Sequence, residues 1–193
     1  FFKFDFFNFN NNKFLISKSG FSKQGGFEIH IDNIEAGLNL YDYFFKIGNE
    51  FNLKPGAPNH PERIEGGLLS YGNDMDIGDN PFECGFDKYI NLKSDVVFLG
   101  KEKLKKIKAE GIKRKLMGVK INVKSIDLIN EVPIFESEKN EVGKLRSAAY
   151  SPKFKKIVGI AMIKIEFCKP NQKFKIKIND NIIDGEVCSL PIL

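Results

Sequence analysis

The pattern of apolar and polar positions changes near residue 112. Before that point, short apolar alternations at 14–17 and 27–31 predict strands, and the runs that follow them have helical spacing. After it the spacing has period two. Strands are predicted at 116–123, 133–136, 142–150, 157–165, 174–178 and 182–187. So many short strands indicate an antiparallel barrel or sandwich, so we predict an α+β chain: an α/β part at 1–112 and an all-β domain at 113–193.

Two helices are predicted between residues 33 and 72. Asn33 is placed to cap the first helix, and a set of five residues at helical spacing shares one face. These residues are Ile34, Leu38, Tyr41, Phe45 and Gly48. Pro61 suits the first turn of the second helix, with Ile64 and Leu68 inward and an end at the loop of Tyr71 and Gly72.

A third helix is predicted at 101–110, followed by Gly111 as its C-terminal cap. Much of the formal net charge of +5 lies in and just after it. Leu104 and Ile107 form a narrow apolar stripe and lysines cover the rest, which is typical of a solvated surface helix. No recognition helix or RNA-binding motif accompanies it, so we predict no nucleic-acid partner. The lysines remain suited to attracting an anionic ligand such as a polyglutamylated cofactor.

Composition narrows the class of protein further. With 193 residues and 42% hydrophobic content, the chain can bury one substantial core or two small ones. No run approaches the roughly 18 apolar residues of a membrane span, so no membrane partner is predicted. Cys84, Cys168 and Cys188 have no CxxC spacing, and His30 and His60 are isolated, so neither a disulfide framework nor a metal site is expected. We expect a reducing, cytoplasmic compartment.

The loop after the second helix is a candidate ligand site. It is polar, broken by glycine and rich in acidic residues. Folding such a loop costs free energy, because its backbone polar groups lose water without helix or strand partners, so we expect it to hold a ligand. Tyr71 is suited to stacking on a ring or donating a hydrogen bond, or alternatively to anchoring the loop while half-buried. Asp74 and Asp76 are either an acid/base pair or, more commonly for loop aspartates, acceptors for nearby backbone amides.

Glu28 is a second candidate, because it follows a glycine pair on a strand. A carboxylate there can accept two parallel hydrogen bonds from the N–H pair of a heterocycle. Spacing alone favours the alternative, a strand-edge glutamate that faces water. Arg63 and Glu65 flank Ile64 in a helix, so one is expected at the pocket and the other in a surface contact. Cys84 is expected to pack in the core.

Three segments together resemble one protein family. SKSGFSKQGGFEIHI (17–31) is similar to the folate-site strand of the glycine-cleavage T-protein (aminomethyltransferase) family, and PERIEGGLLSYGNDMD (61–76) is similar to its Arg-x-Glu helix and Tyr-Gly loop. VGKLRSAAYSPKFKKIVGIAMI (142–163) resembles the signature of its C-terminal β-barrel. The resemblance extends over essentially the whole chain. It implies the C-terminal part of a folate-binding α/β domain followed by an antiparallel β-barrel.

The resemblance implies a tetrahydrofolate-dependent methyltransferase that acts on a small molecule. Glu28 would hold the pteridine, with Arg63 and Tyr71 near the folate. His30 stands where a tyrosine is usual, which implies a contact with substrate. Asn59 stands where T-proteins carry a further arginine.

The sequence of residues 68–90 is most similar to the branch of the family that demethylates dimethylsulfoniopropionate. Aminomethyl transfer and non-catalytic folate binding stay open as alternatives. The chain begins at Phe1, and we expect a fragment whose catalytic residues lie in an absent N-terminal half, so that it is inactive alone. An exposed sheet edge would favour association, including homo-oligomers.

Overall fold

The structure is a computed structural model that describes residues 3–19, 25–56, 59–126, 130–137, 140–178 and 180–192. The chain divides into two compact units, Phe1–Asn59 and His60–Leu193. This division lies at residue 59. The domain boundary predicted near residue 112 stays a prediction, because a division into compact units does not define domains of a family.

The described residues of the N-terminal unit form a three-stranded antiparallel sheet and one α-helix. Its elements are β1 (Lys3–Phe9), β2 (Asn12–Lys18), β3 (Glu28–His30) and α1 (Ile34–Gly48), and the strand order is β1-β2-β3. Asn10 and Asn11 form the two-residue turn between β1 and β2, both with positive φ, as tight hairpins require. The two strands predicted in this unit are confirmed as β2 and β3.

Helix α1 begins where the sequence predicts. The side chain of Asn33 accepts a hydrogen bond from the backbone N–H of Ala36 at 3.0 Å, so Asn33 is the N-cap. Ala36 and Leu40 pack with Phe14 of the sheet.

The apolar face that the spacing indicates in α1 is largely exposed in this unit. Ile34 is 82% exposed, Leu38 61% and Tyr41 54%, while Gly48 is buried. The helix packs instead through Ala36 and Leu40, and Gly37 lets it approach the preceding segment closely. A Cβ added at Gly37 would lie 2.6 Å from Cγ2 of Ile31.

The second unit is built on a closed antiparallel barrel of six strands. They are β4 (Arg114–Ile121), β5 (Val132–Ser137), β6 (Asn140–Ser151), β7 (Lys156–Lys164), β8 (Lys173–Ile178) and β9 (Asn181–Cys188). Their order around the barrel is β4-β7-β6-β5-β8-β9. All six predicted strands are confirmed, and of the two architectures that the sequence left open the barrel is correct.

Strand β7 explains why one barrel strand has no polar alternation. Ile157, Ala161 and Ile163 join the apolar cluster inside the barrel. The residues between them, including Ile160 and Met162, belong to a second apolar cluster. That cluster also contains Ile64 of helix α2 (His60–Glu65). Both faces of β7 are therefore covered, and a strand buried on both faces reads as a continuous apolar run.

Helix α2 (His60–Glu65) packs against this outer face and is shorter than predicted. The backbone N–H of Leu68 donates to the carbonyl of Arg63 at 2.9 Å, and that of Gly67 donates to the carbonyl of Ile64 at 3.0 Å. Gly67 has φ +63°, which completes a glycine C-cap. The predicted end at Tyr71 is wrong because the glycine pair stops the helix at Glu65. Ile64 is fully buried as predicted, and Leu68 is half-buried.

The predicted lysine-rich helix is confirmed as α3 (Lys101–Glu110), with Gly111 at its C-cap. Its Leu104 and Ile107 are half-buried and most of its other residues are exposed. Within the described residues, no helix combines the length and apolar character that crossing a bilayer requires.

Candidate functional site

A buried ion pair joins α2 to the candidate loop. Arg63 is 5% exposed, and its Nη1 donates to Oδ2 of Asp74 at 2.5 Å. The same oxygen accepts the backbone N–H of Ser70 at 2.7 Å, and Nη2 of Arg63 donates to Oγ of Ser147 on β6 at 3.0 Å. Arg63 therefore ties the helix, the loop and the barrel together. Asp74 is fully buried and accepts a backbone amide, which is the alternative that is more common for loop aspartates.

Glu65 makes the second tie between α2 and β6. Its Oε1 accepts a hydrogen bond from the hydroxyl of Ser151 at 2.6 Å. Ser151 lies four residues after Ser147 on the same strand, so Arg63 and Glu65 reach different points along β6. Arg63 faces the site, but the predicted surface contact for Glu65 is wrong, because its partner Ser151 is fully buried and both side chains reach β6.

A second set of ion pairs, between one aspartate and two arginines, holds the later part of the loop. Asp79 is bound by Arg146 of β6, with 2.5 Å between Oδ2 and Nη1, and by Arg114 of β4, with 3.0 Å between Oδ1 and Nη2. Arg146 also donates to the backbone carbonyl of Asp74 at 2.9 Å. Burial opposes ionisation of Asp79, but the hydrogen bond from Arg146 and the charge of both arginines outweigh it and hold the pKa of this carboxyl below its usual range.

His60 lies at the start of α2 and contacts the same network. The Nε of Arg63 donates to Nδ1 of His60 at 3.3 Å. Partial burial, and then the positive charge of Arg63, lower the pKa of His60 below its ordinary value, although Asp74 acts in the opposite direction. The imidazole is thus held in its neutral form near neutral pH.

A cleft of about 360 Å³ opens beside these residues within the second unit. Its lining is mostly polar and comes from α2, the loop, the two residues before β5, and β6. The lining residues are His60, Arg63, Gly72, Asn73, Asn130, Glu131, Arg146, Ser147 and Ala148. Of the residues predicted to bind a ligand, Arg63 is the one that lines this cleft.

Tyr71 lies on the same loop, and its side chain is exposed to solvent. Its side chain is 68% exposed, so the interpretation as a half-buried anchor is wrong and the ring is accessible to a partner. The loop is closed by a hydrogen bond from the N–H of Gly72 to the carbonyl of Met75 at 2.8 Å. Asp76 caps the next turn, with Oδ1 accepting the N–H of Gly78 at 2.7 Å.

Glu28 and His30 lie in the N-terminal unit, on one face of β3 and both exposed. The hydroxyl of Ser19 donates to Oε2 of Glu28, Oγ of Ser17 lies 3.0 Å from Oγ of Ser19, and Nε2 of His30 lies 3.4 Å from Oγ of Ser17. Two serines of the β2 segment therefore connect Glu28 with His30. Part of the motif, residues 20–24, lies outside the described residues.

The glycine pair before Glu28 is explained by backbone conformation. Gly25 has φ +77° and Gly26 has φ +114°, and no described heavy atom lies within 4 Å of a Cβ added at either. Residues with side chains rarely adopt these values. The conformation of the pair thus sets the entry into β3.

Several residues of this arrangement escape sequence reasoning. Arg146 and Ser147 occur in the barrel segment that carries the family resemblance, but their partners are distant in sequence. His60 is isolated in the sequence, so its contact with Arg63 is visible only in the fold. Within the described residues, no three His, Cys, Asp or Glu side chains cluster as a metal site would require. Cys84 is buried in the core as predicted, where burial, then Asp79, raises the pKa of its thiol to about 11.

Comparison with known proteins agrees with this fold. Residues 1–94 match the family model of the GCVT N-terminal domain, and residues 114–193 match that of the glycine cleavage T-protein C-terminal barrel domain. A solved structure of the glycine cleavage system aminomethyltransferase T from Bartonella henselae superimposes with a TM-score of 0.78 at 22% identity, covering 93% of this chain and 50% of that one. This likeness shows the shared fold.

Two curated relatives are similar in sequence. The dimethylsulfoniopropionate demethylase of Ruegeria pomeroyi is 33% identical over 182 residues, which are 94% of this chain and 49% of the relative. An aminomethyltransferase of Clostridium botulinum is 33% identical over 172 residues, 88% of this chain and 45% of the relative. The chain spans about half the length of the curated relatives it matches. On the two family models, the chain belongs to the glycine cleavage T-protein family.

Proposed function

We propose that the protein is a tetrahydrofolate-dependent one-carbon transferase that takes the methyl group of dimethylsulfoniopropionate. The observation that carries this proposal is the similarity to the demethylase of Ruegeria pomeroyi along 94% of the chain. The sequence of residues 68–90 favours the sulfonium substrate over an aminomethyl donor. Asn59, which stands where T-proteins carry a further arginine, favours it as well.

The carboxylate of Glu28 has the chemistry needed to hold a pteridine. The carboxylate is exposed, and its Oε2 accepts a hydrogen bond from the hydroxyl of Ser19. A carboxylate has about four acceptor sites, so capacity remains for the two parallel N–H groups of a pteridine edge. In this proposal Tyr71 offers its exposed ring to the folate and His30 contacts the substrate.

Arg63 supports binding mainly by holding other residues in place. Its guanidinium donates to Asp74, Ser147 and His60, which uses most of its N–H groups. The loop that presents Tyr71 is therefore fixed to the barrel before any ligand arrives. Such preorganisation lowers the entropy that is lost on binding.

The reaction needs alignment more than reactive side chains. The methyl carbon–sulfur bond of the sulfonium breaks as a carbon–nitrogen bond forms at N5 of tetrahydrofolate, a neutral thioether (methylmercaptopropionate) leaves, and the N5 proton is lost to solvent. The methyl group is already activated by the positive sulfur. Positioning alone can lower such a barrier by about 7–11 kcal/mol.

Aminomethyl transfer is the second candidate, favoured by the equal 33% identity to the Clostridium botulinum aminomethyltransferase. The two candidates share folate and differ in the donor. They are separated by supplying protein expressed from its complete reading frame with tetrahydrofolate and dimethylsulfoniopropionate, and following 5-methyltetrahydrofolate and methylmercaptopropionate by mass spectrometry. Formation of both products is the expected result. If neither forms while folate still binds, aminomethyl transfer or a purely binding role replaces the proposal.

Glu28→Ala tests the folate contact directly. Charge-assisted hydrogen bonds contribute roughly 1.5–3 kcal/mol each, so we expect tetrahydrofolate affinity to fall about tenfold or more. Glu50→Ala removes another exposed carboxylate of the same unit and should leave affinity unchanged. Equal affinity in both variants would remove Glu28 from the site.

A further inference from the structure

The imidazole of His60 has one nitrogen whose role is fixed by the fold. Arginine cannot accept a hydrogen bond, so the contact between Nε of Arg63 and Nδ1 of His60 at 3.3 Å requires Nδ1 to be the acceptor. A proton on Nδ1 would face the donor of Arg63. The neutral ring must therefore carry its proton on Nε2.

Arg63 is itself held rigidly, so this choice of tautomer is not free to relax. Its guanidinium is anchored by Asp74 at 2.5 Å and by Ser147 at 3.0 Å, and both Arg63 and Asp74 are buried. The orientation of a histidine ring is commonly set by the hydrogen bond at its other nitrogen. Here that bond comes from a side chain that is locked to the barrel.

The charge around the cleft bears on what the Nε2–H group would bind. The two arginines of the lining already have carboxylate partners: Arg63 pairs with Asp74, and Arg146 pairs with Asp79 and Glu131. Asp79 also binds Arg114, and Glu131 lies 3.6 Å from Lys144. An additional anion would have to compete with these carboxylates for the arginines. A neutral oxygen acceptor suits the site better, and the amide side chains of Asn73 and Asn130 in the lining pair well with another amide.

We infer that His60 is a ligand-binding residue of this cleft, a neutral imidazole whose Nε2–H donates to an amide carbonyl of the bound molecule. The choice of tetrahydrofolate, which carries such an amide between its ring system and its glutamate, rests on the proposed function. The assignment of the tautomer does not.

The tautomer is tested by ¹⁵N NMR of histidine-labelled protein expressed from its complete reading frame. The signals of His60 are those lost in His60→Gln. We expect the shift pattern of a neutral ring protonated at Nε2, with Nδ1 as acceptor. A ring protonated at Nδ1, or a rapid mixture of both tautomers, would overturn the inference.

The ligand is tested by binding measurements on the same protein. His60→Leu removes the donor and should weaken tetrahydrofolate binding about three- to tenfold, as expected for one hydrogen bond, whereas His60→Gln keeps an N–H donor and should stay within about twofold. Binding of 6-methyltetrahydropterin, which lacks the amide, should be the same in all three proteins. Equal losses for both ligands, or no loss for either, would overturn the inference.

A failure of the proposed function is distinguishable from a failure here. If the unsubstituted protein binds no tetrahydrofolate, the proposed function fails. The inference is then decided by titrating p-aminobenzoylglutamate, the amide-bearing fragment without the pterin, against the Nε2 signal of His60. A saturable shift that is unaffected by added acetate supports the amide site, and no shift, or an equal shift with acetate alone, refutes it.

Discussion

The two units of this chain differ in how they use their apolar residues. In His60–Leu193, twelve buried side chains fill the barrel and seven more form the cluster outside it. Among the described residues of Phe1–Asn59, the buried cluster has three members. Large apolar side chains such as Phe4 at 70% and Phe51 at 79% are exposed there. The second unit thus holds its own core, whereas the first carries more apolar surface than its core uses.

The difference shows that a correct local pattern does not by itself define a core. Strand β7 and helix α1 are both rich in apolar residues at regular spacing. Both faces of β7 are covered within its unit, but the regular face of α1 is exposed and the helix packs through Ala36 and Leu40. We therefore expect substitutions in the barrel unit to change stability strongly and those in the N-terminal unit to change association instead.

The largest effect is expected at the buried ion pair. Asp74→Asn leaves the guanidinium of Arg63 buried without its counter-charge, and breaking a buried pair in this way costs about 3–5 kcal/mol. Urea denaturation followed by circular dichroism measures the loss. The matched control is Glu102→Gln in α3, which removes the exposed partner of Lys105 and should cost less than about 1 kcal/mol. Similar losses in the two variants would mean that the pair does not anchor the loop.

A core substitution gives the next largest difference between the units. Leu145 is fully buried inside the barrel, and Leu145→Ala should lower the free energy of unfolding by about 2–5 kcal/mol. Leu38 in α1 is 61% exposed, so Leu38→Ala should change it by about 0.5 kcal/mol or less in the same denaturation experiment. A loss at Leu38 as large as that at Leu145 would contradict the contrast between the two units.

The sequence predicts the barrel well because its signal is local. Strands of period two separated by turn residues specify β4 to β9, and Asn33 specifies the start of α1. The sequence predicts too long an α2, because Leu68, four residues after Ile64, suggests a continuing apolar stripe. The pair Gly66-Gly67 carried the opposite signal, since Gly67 adopts the left-handed conformation that ends helices.

The candidate site is less predictable because its contacts are distant in the chain. The sequence predicts Arg63 as a site residue, but its partner Ser147 lies on a barrel strand and is recognisable only from the fold. The pair of Asp79 and Arg146 is not predictable from the sequence for the same reason. The roles predicted for Glu28, His30, Arg63 and Tyr71 stay predictions, while their positions are now defined within each unit.

Association should be a property of the N-terminal unit. Ile34→Lys places a charge on the exposed face of α1, where Ile34 is 82% exposed, and should reduce any concentration-dependent association seen by size-exclusion chromatography with light scattering. Ile182→Lys makes the same change at a 59% exposed residue of β9 and should leave association unchanged. A monomer at all concentrations would refute the expectation, as would an equal effect of the two substitutions.

The smallest effect concerns pH and the neutral imidazole of His60. Its pKa in the folded chain is lower than the ordinary value of 6.5 because of partial burial and Arg63, with Asp74 opposing them. The unfolded chain then binds the proton more readily, so this contribution to stability is present above pH 6.5 and is lost as the pH falls from there through the folded pKa. His60→Gln should therefore flatten the stability curve on the acidic side of neutrality and leave its shape at pH 8 unchanged. An unaltered slope between pH 7 and 5 would mean that the fold does not favour the neutral ring over the charged one.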